Sequence, residues 1–357
     1  MRYLFFTNTP AHVHLYRHAI ETLQEQGHDV FVLGRDYGCT RALLEYHDLP
    51  YEIYGKCETT KYSLFRELPQ HYLEIFRQTR RYDPDLIFGV GSYAAHAGAI
   101  SRTPVVVVAD SEPTGIDHLV SRPFVDTFLT PHSFGKDLGA NHYEFRGFKE
   151  LAYLHPDVYE PDPTIRDRLG VGPDEDYAIV RFNAFGSHHD VGHSGFSPEK
   201  RRKLVSALSE HATVFVSDEG GNPAPGESHE FDLHPALLHD ALAEASLLVA
   251  DTQTMVTEAA LLGTPAIRSN SFVGESDMGN FVELEREGLI HNYRDFEDVL
   301  SKSLSLLADD SAKERLRERR DAYLSNMVNL TDVIVDVATT AVVPTERIER
   351  TVAVTPR

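Results

Sequence analysis

The stretch LLVADTQTMVTEAALLGTPAIR, Leu247 to Arg268, decides the fold. It opens on an apolar run and crosses a polar turn, Asp251-Thr252-Gln253-Thr254. A helix of small residues follows, stops at Gly263 with Pro265 just beyond, and gives way to a second apolar run. Glycine suits the left-handed residue that closes a helix, and proline cannot continue one. Strand, helix and strand in this order make a βαβ unit, and short, wholly apolar strands are those of a parallel sheet covered on both faces.

Outward from that stretch the pattern repeats. YAIVRF, ATVFVSD and SLLVAD precede it as strand-like runs, with helical segments from about Pro198 to Glu210 and from Pro235 to Ala245 between them. The first half carries its own series: RYLFF, a helix from about His14 to Gln26 stopped by Gly27, then HDVFVLGR, PDLIFGVG, TPVVVVAD and DTFLT. Between the halves, VYEPDPTIRDRLGVGPDED is rich in proline and acids, as linkers are. The expected architecture is α/β, two Rossmann-like domains with an interdomain cleft, at residues 1–160 and 161–335, and a tail at 336–357. In such folds ligands lie beyond the carboxyl ends of the strands.

Composition narrows the function. The 357 residues hold 55 acids against 34 Lys and Arg, a net charge of -21. So acidic a chain repels nucleic-acid phosphates, and no nucleic-acid partner is expected. Only 8 of the cations are lysine, and an acidic, lysine-poor surface suits a high-salt cytoplasm, where screening relieves self-repulsion; a halophilic source is expected. No run approaches the roughly 18 apolar residues of a membrane span, and MRYLFFTNTPAHV turns polar too soon for a signal peptide, so a cytoplasmic chain is expected. Cys39 and Cys57 lie outside any CxxC or Cys/His spacing, and two reduced thiols are expected.

Within the opening stretch, Glu258 follows Thr254 by four residues and Met255 by three, so it lacks the Ser or Thr partner of a capping box. Either it faces water near the positive end of the helix dipole, or it accepts the hydroxyls of a ribose. Thr252, Gln253 and Thr254 gather hydroxyls and backbone N–H groups at a helix start, an anion site suited to a diphosphate. In TNTPAHVHLYRH, Thr7 to His18, His12 or His14 lies in the first βα turn and is read as facing the cleft. There a histidine serves as general base or phosphate donor, or simply caps the helix. Gly89 and Gly91 allow close approach to a ligand. Asp110, Ser111 and Glu112 follow a buried strand, and one of these acids can orient or deprotonate a hydroxyl; Glu112 is the candidate.

The loop RFNAFGSHHDVGHSG places Arg181, Ser187 and His188 where they can reach phosphate oxygens. His188, His189, Asp190 and His193 lack the spacing of a helix-borne metal site, and no metal is expected. Finally, KYSLFRELPQHYLEIFRQTRRY, residues 61–82, carries five Lys or Arg against two Glu with aromatics interleaved. It can touch an anionic membrane with one face while Tyr72, Leu73 and Phe76 pack inward on the other.

PAHV at 10–13, PDLIFGVGSYAAHAGAISRTPVVVV and ASLLVADTQTMVTEAALLGTPAI together resemble the GT-B superfamily of nucleotide-sugar enzymes, in particular the lipid-linked N-acetylglucosaminyltransferase of peptidoglycan synthesis. The PAHVH turn and the RF…HHDVG loop look closer still to a mainly archaeal family, domain of unknown function 354, over residues 1 to about 340. The resemblance implies that Glu258 holds the ribose of a UDP-sugar, that Thr252, Gln253 and Thr254 lie near its diphosphate, and that His12 faces the cleft. It implies a metal-independent glycosyltransferase of surface polysaccharide or glycoconjugate synthesis, with a nucleotide-sugar donor, a glycan or lipid-linked acceptor and no cofactor. Thr9-Pro10-Ala11 replaces the glycines of the transferase pattern. The alternatives are a UDP-N-acetylglucosamine 2-epimerase-like enzyme, whose first-turn Arg and Glu are missing here, and a non-catalytic nucleotide-sugar-binding protein.

Overall fold

A computed structural model describes residues 1–57, 61–112, 115–183, 195–271, 273–274, 277–340 and 348–350. The chain divides into two compact units, Met1–Tyr159 joined by the segment that begins at Asn326, and Glu160–Ser325. Residues 326–335, expected in the second domain, therefore belong with the first. The reason is packing: in the helix Leu330–Thr340, Val333, Ile334, Val337 and Ala338 are buried, and Ala338 O accepts a 2.8 Å bond from Tyr3 Oη on the first strand.

The first unit is built on β1 (Arg2–Thr7), β2 (Asp29–Asp36), β3 (Tyr51–Lys56), β4 (Leu86–Gly89), β5 (Val105–Val108), β6 (Thr127–Pro131) and β7 (His142–Phe145). All seven run parallel in the order β7-β6-β5-β4-β1-β2-β3, and the strand Ile348–Arg350 adds antiparallel outside β7. Central strands such as β5, Val105 to Val108, are buried at every residue, as helices on both faces require. Its helices are α1 (Pro10–Glu25), α2 (Thr40–Tyr46), α3 (Lys61–Tyr82), α4 (Ser92–Ser101), α5 (Gly115–Ser121) and the short α6 (Leu151–Leu154). Helix α1 starts four residues before its expected start, because Pro10 occupies the first helical position, where its missing N–H costs nothing.

Three readings of this half change. Strands β3 and β7 lie outside the expected series; β3 is an edge strand with a half-exposed pattern and no apolar run to mark it. In α3, Tyr72 and Phe76 pack against the core but Leu73 is 71% exposed. The two glycines of the β4–α4 turn are filled by the chain itself: a side chain on Gly89 would strike Ala94, and one on Gly91 would strike Asp117.

The second unit holds α7 (Ile165–Leu169), β8 (Tyr177–Phe182), α8 (Pro198–Ser209), β9 (Thr213–Asp218), β10 (His229–Glu230), α9 (Leu238–Glu244), β11 (Leu247–Ala250), α10 (Thr254–Leu262), β12 (Ala266–Arg268), α11 (Gly279–Arg286), β13 (His291–Asn292), α12 (Phe296–Leu307) and α13 (Ala312–Leu324). Its six strands are parallel in the order β10-β9-β8-β11-β12-β13. The opening stretch is the middle of this sheet: β11 is wholly buried, α10 is buried from Met255 to Leu262, and Gly263 closes α10 at φ 75°.

Candidate functional site

In the second unit the carboxyl ends of β8, β11 and β12 lie side by side, with Ala250 paired to Arg181 and to Arg268. Asp251 organises this edge. Its side chain is fully buried; Oδ1 accepts from Asn183 N at 2.6 Å and Oδ2 from Phe196 N at 3.0 Å. Arg201 reinforces the same pair of backbones, Nη2 donating to Asn183 O at 3.1 Å and Nε to Phe196 O at 3.0 Å. The two ends of the segment 184–194 are thus tied together under one acid and one arginine. Burial pushes the Asp251 carboxyl up to about 6, against the pull of these backbone donors and of Arg201. Asp251 was not among the expected site residues. Its signal was position, a lone acid directly after a buried strand.

The turn that follows delivers the expected residues. Thr252 is 8% exposed, and its Oγ1 is buried with no hydrogen-bond partner. Gln253 caps α10 without lending its side chain to the cap, and Thr254 begins the helix. Glu258 does not face water. It is 4% exposed, and its Oε1 lies 3.1 Å from Nε2 of the buried His239 on α9. Arg181 points along the sheet: Nη1 donates to Ser217 Oγ at 2.5 Å and Nη2 pairs with Glu219 at 2.5 Å. Ser187 and His188, and the cluster His188, His189, Asp190 and His193, lie outside the described residues. Among the described residues there is no group of three or more His, Cys, Asp or Glu placed to hold a metal.

Beside this turn a cavity of about 370 Å³ is lined by Phe196, Lys200, Ser269, Asn270, Ser271 and Arg294, among others. Asn270 Nδ2 donates to Asp251 O at 3.1 Å, which ties the cavity wall to the turn. Sequence reasoning passed over these residues because they come from three separate connections, after β12, at the start of α8 and before α12.

In the first unit the corresponding edge gathers Asn8, His12, Arg35, Asp110 and Lys149. His12 stands in the first turn of α1, 9% exposed, and its Nδ1 accepts from Asn8 N at 3.2 Å. Asn8 is itself fixed by Tyr54 Oη at 2.8 Å and by Arg35 Nε, which donates to Asn8 O at 3.0 Å. Burial, then the charges of Lys149 and Arg35, hold the His12 imidazole well below its usual range. A neutral ring whose Nδ1 accepts carries its proton on Nε2. Lys149 pairs with Asp110 at 2.5 Å. Glu112 sits in the loop after β5, Oε1 accepting from Gly135 N at 3.4 Å. His14, the other histidine of the turn, is buried against Tyr153 with ring centres 5.4 Å apart.

The fold of the whole chain matches solved structures. It is similar to UDP-GlcNAc 2-epimerase from Neisseria meningitidis bound to UDP-GlcNAc, at 10% identity and TM-score 0.62, over 96% of this chain and 98% of that one. The S. aureus MnaA–UDP co-structure gives 11% identity and TM-score 0.66 over 95% and 96%. The Streptomyces sp. SF2575 glycosyltransferase SsfS6, complexed with thymidine diphosphate, gives 14% and 0.61 over 94% and 98%. No curated protein sequence matches. Two parallel-sheet α/β units with these likenesses define the GT-B fold. Residues 3–341 match the family described as protein of unknown function DUF354, and the chain belongs to that family.

Proposed function

We propose that the protein is a GT-B glycosyltransferase that takes its sugar from a nucleoside diphosphate donor, UDP foremost, and passes it to a glycan or lipid-linked acceptor. The observation that carries the donor site is Thr252: a buried hydroxyl without a partner, at the start of a nine-residue helix that directly follows a central strand. Buried polar groups are nearly always paired, and phosphate oxygens at a helix N-terminus supply the missing acceptor. Glu258, one turn further on, accepts the ribose hydroxyls, with His239 behind it fixing the carboxylate. Asp251 and Arg201 are positioning residues, which hold the ends of the segment carrying Ser187 and His188.

In the first unit, the His12 tautomer suits a donor of a hydrogen bond from Nε2 better than a base, since accepting a proton there requires surrendering the bond from Asn8 N. His12 then donates from Nε2 to a substrate oxygen on which negative charge grows. Glu112 takes the proton of the acceptor hydroxyl. Arg181, already paired with Ser217 and Glu219, turns to phosphate only by giving up those partners.

A second reading is a UDP-N-acetylglucosamine 2-epimerase-like enzyme, supported by the shared fold of the Neisseria meningitidis UDP-GlcNAc 2-epimerase, as the first is by that of SsfS6. UDP-N-acetylglucosamine incubated with the protein alone, in high salt, separates the two. Transfer predicts unchanged sugar until an acceptor is added; interconversion without acceptor rejects transfer in favour of epimerisation. If no nucleoside diphosphate sugar raises the melting temperature, both readings fail.

A further inference from the structure

Helix α5 is built the wrong way round for a helix on a water-soluble surface. Over Gly115–Phe124 the polar residues turn inward. Asp117 accepts from Ser92 N at 3.2 Å, His118 is 9% exposed against the Phe134 ring, and Ser121 is fully buried. The apolar residues turn outward: Ile116 is 81% exposed, Leu119 73%, Val120 41% and Phe124 44%. The spacing of three and four residues sets Ile116, Leu119 and Val120 on one stripe of α5, and Phe124 follows in the 3-10 turn Arg122–Phe124. An amphipathic helix with its apolar stripe in water signals a surface meant to be covered.

The neighbouring helices say by what. Helices α3, α4 and α5 pack in sequence as one layer. Its exposed residues include Leu73 and Ile100, and the exposed charged residues within the described parts of the helices are Arg66, Arg77, Arg80 and Arg81. Just past the helix ends lie Arg102 and Arg122, and also Asp83, paired with Arg2, Asp85 and Asp126. In the described parts of these helices no exposed residue is acidic; Glu67, Glu74 and Asp117 are all partly buried, and Glu74 is committed to Arg77 and Gln78. This is the reverse of the whole chain, with its 55 acids against 34 Lys and Arg.

We propose that the α3–α5 face of the first unit docks on an anionic lipid bilayer, with Ile116, Leu119, Val120 and Phe124 in the interface and the arginines on the phosphates. Apolar stripe and cationic surround are the two halves of interfacial binding. The face is carried by α5 as much as by residues 61–82. A second copy of the chain fits less well, because two such faces would oppose arginine to arginine.

Flotation of the full-length protein with vesicles of phosphatidylglycerol and phosphatidylcholine, or of phosphatidylcholine alone, tests this at low and at molar KCl. The protein is expected to float with the anionic vesicles, and salt is expected to weaken but not abolish binding. The double variant Ile116→Ser/Leu119→Ser should lose binding about tenfold or more at both salts. Arg77→Gln/Arg80→Gln/Arg122→Gln should fall to the level of phosphatidylcholine alone. Circular dichroism checks that both variants are folded, and each tests a different half of the claim. Failure of the native protein to float, or equal binding to both vesicle types, overturns the proposal. So does a native dimer in gel filtration that Ile116→Ser/Leu119→Ser converts to monomer without changing flotation.

Discussion

The two units each place a histidine beside the carboxyl ends of their strands, and they treat it in opposite ways. In the second unit His239 meets Glu258 across two packed helices, and both side chains are nearly sealed from water. In the first unit His12 receives a backbone N–H on one ring nitrogen and sits near the cations Lys149 and Arg35, Lys149 being paired with Asp110. The first arrangement maintains an acceptor of hydrogen bonds in a dry place; the second keeps a neutral donor. The same residue type therefore supports different chemistry because its partners differ, and variants at the two edges should part company accordingly.

The largest effect is expected at Asp251. Asp251→Ala leaves the buried N–H groups of Asn183 and Phe196 without acceptors and takes from Arg201 the second of its two carboxylates, Asp218 remaining at 2.7 Å, a loss of about 3–5 kcal/mol in denaturant unfolding. Its raised pKa also has a sign. The unfolded carboxyl, near 3.8, gives up its proton before the folded one, near 6, so this group's contribution to stability is full below about pH 4 and falls as pH rises through 6. His12 acts in the reverse direction: its depressed pKa means stability present above pH 6.5 and lost on acidification. The stability of the native protein minus that of Asp251→Asn should decline between pH 4 and 7, a difference in which His12 and the other titrating groups cancel. A difference that stays flat over this range rejects the raised Asp251 pKa.

Next is Glu258→Ala, which removes the proposed ribose acceptor. Affinity for a stabilising nucleoside diphosphate sugar should fall by about 10- to 100-fold, as lost charged hydrogen bonds do. The comparison sharpens with His239→Phe. If His239 only fixes the carboxylate, affinity falls less than in Glu258→Ala; an equal fall in both makes the pair, and not the acid, the ligand site.

A smaller effect with an unusual sign belongs to Thr252→Val. The change keeps shape and removes a hydroxyl that is buried without a partner, so stability of the unliganded protein should hold or rise by up to about 1 kcal/mol. Nucleotide affinity should drop several-fold in the same variant. Calorimetric titration beside thermal unfolding checks both, and loss of stability with affinity intact removes Thr252 from the site.

Much of this was legible in the chain. The βαβ order, the helix stop at Gly263 and the turn Thr252–Thr254 follow from local patterns that single segments carry by themselves. What escaped depends on distance along the sequence. Asp251 is defined by Asn183 and Phe196, which lie 68 and 55 residues away, and Glu258 by His239, 19 residues away. An edge strand such as β3 has no apolar run, because one side of it has no neighbour to bury against. The outward stripe of α5 reads in sequence as an ordinary buried helix, since spacing fixes a face and not its direction.

The finest distinction concerns His12, where two roles leave the same residue essential. His12→Ala abolishes either one. His12→Gln separates them, because the glutamine amide nitrogen reaches about where Nε2 lies and donates there but cannot take up a proton at neutral pH. If His12 donates a hydrogen bond to a substrate oxygen on which charge grows, His12→Gln should keep its rate within about tenfold of the native protein, with a pH profile free of any histidine limb near 6.5 in both. A His12→Gln variant as inactive as His12→Ala, together with a native limb near that pH, would return the histidine to the role of base and show that substrate binding displaces the Asn8 N–H from Nδ1.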